Sequence, residues 1–62
     1  MKQFYIEYRR NDMPSEYRGA AIKWAHDDKS AVRLLLQKAP DKKGNCTFKR
    51  GGSGQIISVQ EL

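Results

Sequence analysis

A single cysteine, Cys46, in a chain of 62 residues is the feature that most constrains the fold. One thiol forms no internal disulfide and builds none of the zinc modules that need pairs of cysteines. A chain of this length buries only about 60% of the surface that its unfolded form exposes. We therefore expect one small domain, residues 1–62, with a thin core. Because that size leaves little room for a catalytic cleft, it favours a binding protein over an enzyme.

The cysteine content also indicates a cellular compartment. Small secreted domains normally carry several cysteines as disulfide staples, so one cysteine favours the reducing cytoplasm. Residues 1–7 contain no apolar stretch of secretory length, and apolar runs such as Leu34-Leu35-Leu36 are far shorter than a membrane span. The sequence therefore predicts a cytoplasmic protein that is kept whole from Met1 and does not bind a membrane.

Residues 2–10 alternate between apolar and more polar side chains. Phe4, Ile6 and Tyr8 share one side of the segment, which is the period-two pattern of a half-buried strand. Turn-forming residues follow at 11–15 and end this pattern.

Residues 17–25 fit two different elements, and the choice between them decides the architecture. As a strand, they place Ile22 and its apolar neighbours two positions away on one face. They fit equally well within a long helix over 15–39, but Gly19 and Asp27 would then lie in the helix interior and weaken it. The strand is favoured because Asp27 can then cap a new helix.

The rest of the chain predicts a helix followed by two strands. Apolar side chains at helical spacing predict a helix over 28–39, which Pro40 ends. Residues 46–50 and 55–62 are predicted as strands joined by a glycine-rich hairpin turn at 51–54.

Alternation within these elements also predicts which large side chains build the core. In the last strand, Ile57 and Val59 are expected to face the core, with Ile56 and Leu62 on the other side. So small a domain needs nearly every large side chain, so four aromatic residues are also expected in the core: Phe4, Tyr8, Trp24 and Phe48.

The predicted order is strand, strand, helix, strand, strand, and the alternative is strand, long helix, strand, strand. Either order predicts an α+β fold, a small two-layer sandwich with one helix packed on a mainly antiparallel sheet of three or four strands. Such an arrangement does not specify a function, which must be inferred from a site.

The positive charge of the chain is concentrated in one segment. The chain contains 12 Lys and Arg against 7 Asp and Glu, a formal charge of +5 at pH 7. Residues 1–28 are neutral, whereas residues 29–50 hold seven basic side chains and one acidic side chain. Such a segment suits an anionic partner, because neutralised phosphates release counterions. It also suits a solvated surface that binds nothing.

We therefore predict a non-enzymatic binding protein whose basic surface contacts nucleic acid or a nucleoprotein without evident sequence specificity. An anionic protein is the other partner that the charge allows. Tyr5 is added as a stacking platform beside Arg9. The predicted contacts are Lys29, Arg33, Lys42, Lys43, Lys49, Arg50, Tyr5 and Arg9.

A protein-interaction or regulatory module is the alternative function. It would act through an exposed strand edge or through Ile56 and Leu62, as a homodimer or within a larger complex. No cofactor, metal site or catalytic residue is predicted. Cys46 and His26 are the candidates for nucleophilic catalysis, but nothing in the sequence brings them together.

Overall fold

The computed structural model describes all of residues 1–62 and contains five strands and one short helix. The helix, α1 (Asp28–Arg33), lies between the second and third strands in the sequence. The strands are β1 (Lys2–Arg10), β2 (Gly19–Ala25), β3 (Leu36–Lys38), β4 (Asn45–Phe48) and β5 (Ser53–Glu61).

The strands form one antiparallel sheet in the order β2-β1-β5-β4-β3. The carboxyl-terminal strand β5 therefore lies in the middle of the sheet, and the two edges are β2 and β3. The helix α1, with six residues, is too short to span a bilayer.

The fold class predicted from the sequence is wrong. The molecule is mainly a five-stranded antiparallel sheet with a helix of six residues, not the predicted helix over 28–39 packed on three or four strands. The helix ends at Arg33, and Leu36 instead lies on β3 opposite Phe48, where it is buried. This tertiary pairing overrides the local helical pattern. Pro40 consequently follows a strand and does not end the helix.

The strand interpretation of residues 17–25 is confirmed by β2, and the long-helix alternative is wrong. β2 pairs with β1 so that Gly19 lies opposite Tyr8. A Cβ atom at Gly19 would lie 2.5 Å from Tyr8 Cζ, so the tyrosine ring occupies the space that a side chain would need. A side chain at this position would require the Tyr8 ring to shift, and glycine lets the ring pack closely over β2.

The helix cap predicted at Asp27 is confirmed. The Asp27 carboxylate accepts a hydrogen bond of 2.7 Å from Ser30 N, in the position of an N-cap residue. The backbone and side-chain hydrogen bonds from Ser30 lower the pKa of Asp27 below its ordinary value. The ionised carboxylate therefore favours the folded state.

We expect this cap to contribute to the loss of stability in acid. A carboxylate whose pKa is lowered by folding stabilises the protein above its unfolded pKa, and that contribution is lost as the pH falls through the lowered pKa. Asp27→Asn keeps an acceptor but removes the titration. We expect a lower Tm at neutral pH and a smaller decrease of Tm between neutral and acidic pH. Equal pH dependence in Asp27→Asn and in the exposed control Glu16→Gln, measured by circular dichroism, would contradict this expectation.

The core lies between α1 and one face of the sheet, here called the helix-side face. It consists of two clusters that share contacts with Leu35 and Ile56. The clusters contain Phe4, Ile6, Ala25 and Ala31 in the first, and Leu36, Cys46 and Phe48 in the second. The predicted core positions of Phe4 and Phe48 are confirmed, and half-buried Tyr8 packs against the second cluster.

Trp24 and Ile57 were expected in the core, and both expectations are wrong. Trp24 is 59% exposed and Ile57 is 45% exposed. Trp24 lies on the opposite face of β2 from Ala25, which packs in the cluster with Ala31. On β5, a shift in the pairing with β1 changes the alternation, so Ile56 rather than Ile57 packs on the core.

Candidate anion-binding site

A pocket of about 190 Å³ lies beside the end of α1 on the helix-side face, and is here called the basic pocket. Four large apolar or aromatic residues and four basic residues line it, and no acidic residue does. The lining residues are Tyr8, Leu34, Leu35 and Phe48, with Arg10, Lys23, Lys49 and Arg50.

The turn between β4 and β5 brings two of these basic residues to the pocket. Lys49 N donates a hydrogen bond of 3.0 Å to the Leu35 carbonyl, which attaches the turn to the segment that follows α1. Gly51 and Gly52 have φ values of +91° and +83°, a region that favours glycine. The hairpin between these strands is confirmed, but its turn lies at residues 49–52 and not at 51–54, because Ser53 and Gly54 pair with β4. Lys49 and Arg50 therefore lie in the turn, at the pocket edge.

Arg10 is held in place at the pocket by three contacts. Its Cζ lies 5.4 Å from the centroid of the Phe48 ring, a cation–π geometry. Its Nη2 donates to the Gly51 carbonyl at 2.7 Å, and its Nε donates to Asp12 Oδ1 at 3.3 Å. Arg10 is therefore ordered, and Asp12 offsets part of its charge.

The other three cations of the pocket have no carboxylate partner. The ion pairs of the structure are Lys2 with Glu61 and Arg10 with Asp12, so none involves the remaining pocket residues: Lys23, Lys49 and Arg50. These cations are therefore available to an anion, and a cleft lined by one sign of charge raises the local concentration of counter-ions.

The structure separates the predicted helix residues from those of the turn. Lys29 and Arg33 line a second pocket of about 290 Å³, which α1 forms with Ala39 and Pro40. Asp28 also lines this pocket and reduces its positive charge. It is therefore a weaker candidate for an anion than the basic pocket.

Lys42 and Lys43 are exposed in the loop between β3 and β4 and line no pocket. Asp41 organises this loop, because its Oδ1 accepts from Lys43 N at 2.8 Å and from Asn45 N at 2.9 Å. The hydrogen bonds from the Asn45 and Lys43 backbones lower the pKa of Asp41. The loop therefore holds a carboxylate beside its two lysines.

Tyr5 and Arg9 lie on the other face of the sheet, here called the open face. Tyr5 is half-buried between its cross-strand partners Ile22 on β2 and Gln60 on β5. Arg9 Nε is buried without a hydrogen-bond partner. The structure therefore does not bring these two residues together with the predicted lysines.

Sequence reasoning missed Arg10 and Lys23, because both lie in the neutral segment 1–28. Strand alternation contains a signal for each of them. Arg10 follows Tyr8 on the same side of β1, and Lys23 lies between Ala21 and Ala25 on the face of β2 that carries small residues.

Cys46 is buried, and its Sγ donates to the Gly54 carbonyl at 3.3 Å. Burial raises the pKa of the Cys46 thiol, so it stays protonated at neutral pH and serves as a core side chain. No group of three or more His, Cys, Asp and Glu side chains is placed to hold a metal ion.

No protein-family model, curated protein or solved structure matches this chain. The basic pocket is therefore the feature of the molecule from which we infer a function.

Proposed function

We propose that this protein is a non-enzymatic binding protein that contacts the phosphate backbone of nucleic acid at the basic pocket. The observation that supports the proposal is the convergence of four basic side chains around a pocket without an acidic residue. They come from β1, β2 and the β4–β5 turn, which are distant in the sequence. Lys29 and Arg33 line a separate pocket together with Asp28, so they are not part of the proposed site.

The character of the pocket favours phosphate contacts over base contacts. Phe48 is buried, and half-buried Tyr8 packs against it with ring centroids 5.2 Å apart, so both rings serve the core rather than stand as exposed stacking platforms. Lys49 and Arg50 are exposed and can reach phosphate oxygens. Contacts of this kind position a nucleic acid without reading its bases, so the binding we propose has no sequence specificity.

Removing the two turn cations is the test of this proposal. We expect Lys49→Gln/Arg50→Gln to weaken binding to a labelled duplex by at least about tenfold at low salt, since each charged hydrogen bond contributes about 1.5–3 kcal/mol. The slope of log K against log salt should fall by about one for each phosphate that the variant no longer neutralises. Fluorescence anisotropy over a series of salt concentrations measures both quantities.

Lys42→Gln/Lys43→Gln is the matched control, because it removes the same charge from an exposed loop that lines no pocket. We expect a smaller loss of affinity from this pair. Equal losses from the two double variants would contradict a site at the pocket, and negligible binding of the native protein at low salt would overturn the proposal. Binding of polyglutamate without binding of nucleic acid would replace it with an acidic protein partner.

A further inference from the structure

The edge strand β2 directs unpaired main-chain groups away from the sheet. The Gln3 carbonyl accepts from Leu62 N, so Gln3 directs its backbone groups toward the β5 side. Backbone groups alternate along an antiparallel strand, so the next residue, Phe4, pairs with Lys23 on β2. Every second residue of β2, including Lys23, therefore directs its N–H and C=O groups toward β1. The residues between these direct their N–H and C=O groups away from the sheet: Ala20, Ile22 and Trp24.

This edge has few of the features that usually prevent strands from pairing. Natural edges are protected by proline, bulges or charged side chains, lysine especially. β2 contains no proline, its pairing with β1 has no register shift, and its one charged side chain, Lys23, lies on the helix-side face. Its open face instead carries Ile22, 55% exposed, and the exposed Trp24.

We propose that β2 pairs antiparallel with β2 of a second copy of this chain, about a two-fold axis at Ile22. In this register Ile22 lies opposite its own copy, and Trp24 lies opposite Ala20 of the other copy, so a large side chain meets a small one. Lys23 lies opposite Ala21 of the other copy and no like charges face each other. A register centred on Lys23 would also match outward main-chain groups, but it would place the two Lys23 side chains opposite each other, which is unfavourable.

Pairing of this kind continues the sheet from one copy into the other. The two-fold axis is perpendicular to the sheet, so both α1 helices and both basic pockets lie on the same side. Lys23 belongs to β2 itself, so the pockets flank the new junction. The two pockets of the dimer could bind one nucleic acid together, and this bivalent contact rests on the proposed function. The pairing of the two β2 strands does not rest on it.

The association state of the protein without nucleic acid tests the pairing. We expect a dimer in sedimentation equilibrium that strengthens with added salt, because salt screens the repulsion between two molecules of charge +5. Nucleic-acid binding should instead weaken with added salt, so the salt dependence distinguishes dimerisation from nucleic-acid binding. Trp24 is the single tryptophan, and its emission should shift to shorter wavelength as the dimer forms.

Ile22→Lys should be a folded monomer. The control is Ile57→Lys, which changes a similarly exposed position on the central strand β5. This control should remain a dimer. Circular dichroism checks that both variants are folded. A native protein that is monomeric at all concentrations and salt conditions would overturn the pairing. So would an Ile22→Lys variant that dimerises as strongly as the native protein.

Disulfide trapping tests the register and does not depend on a destabilising change. Opposed residues of a hydrogen-bonded pair have Cα atoms about 5.5 Å apart, within disulfide range. Ile22→Cys should therefore cross-link on oxidation, and Lys23→Cys, one residue further along, should not. Equal cross-linking at both positions or none at Ile22→Cys would overturn the register. A monomer that still binds duplex would overturn only the pairing, and a dimer that binds none would overturn only the proposed function.

Discussion

Gly54→Ala is expected to destabilise the protein by about 3 kcal/mol, the upper end of the usual cost of overpacking. A Cβ atom at Gly54 would lie 3.0 Å from Arg10 Cα and closer still to the carbonyl oxygen of Arg9. These are main-chain atoms of β1, which cannot rotate away as the end of a side chain can. β1 and β5 would therefore have to separate beside the basic pocket. Urea unfolding followed by circular dichroism measures the free energy of unfolding.

Gly44→Ala is the matched control for this prediction. Gly44 has a φ of +83° and no atom within 4 Å of an added Cβ, so alanine meets backbone strain but no collision. Its expected cost is about 1–2 kcal/mol. A loss at Gly54→Ala no larger than that at Gly44→Ala would show that β1 and β5 adjust easily and would contradict the prediction. Arg10 lies on the strand that must move, so Gly54→Ala should also weaken nucleic-acid binding.

Ile6→Ala is expected to lower the free energy of unfolding by about 2–5 kcal/mol. Ile6 has 0% exposure and lies on β1, between β2 and β5 in the sheet. Alanine would leave a cavity in the first core cluster, and a small domain has few other contacts to compensate. Because total stabilities are only about 5–15 kcal/mol, we expect a substantial unfolded population at physiological temperature.

Two graded variants check that the loss comes from burial. Ile6→Val should cost about 0.5–1.5 kcal/mol, because it removes one methylene group. Ile57→Ala, at a position 45% exposed on a neighbouring strand, should change stability by less than about 0.5 kcal/mol. Similar losses for Ile6→Ala and Ile57→Ala would contradict the structure of the core.

The elements that could be predicted from the sequence are those whose determinants lie within a few residues. The alternation of residues 2–10 predicts β1, which the structure places at Lys2–Arg10. The cap at Asp27 and the glycine turn after β4 are local in the same sense, because each is defined by hydrogen bonds or backbone angles of adjacent residues.

The end of the helix could not be predicted in this way. Apolar side chains at 28–39 satisfy helical spacing, and the three consecutive leucines fit either element. Leu36 leaves the helix because pairing with Phe48 buries it in the second core cluster. Phe48 lies far beyond it in the sequence, so no local pattern contains this contact. The sequence predicted three or four strands and not five for the same reason, because β3 is defined by its pairing with β4 and not by a local pattern.

The candidate site was predicted only in part for the same reason. Lys49 and Arg50 were identified from a local excess of charge, and the structure places both at the basic pocket. Arg10 and Lys23 join them because β1 and β2 lie side by side and both side chains are on the helix-side face. Net charge along the sequence does not reveal which charges meet in space.

The sequence by itself determined a single cysteine without a disulfide partner, a first strand, a helix cap, a glycine hairpin and a surplus of positive charge. These properties depend on composition or on neighbouring residues. The tertiary structure alone decided that β5 lies in the middle of the sheet, that β2 is an open edge, and that four cations from separate segments line one pocket. These properties depend on strand pairing between distant residues, whose energy is gained only when the whole sheet assembles.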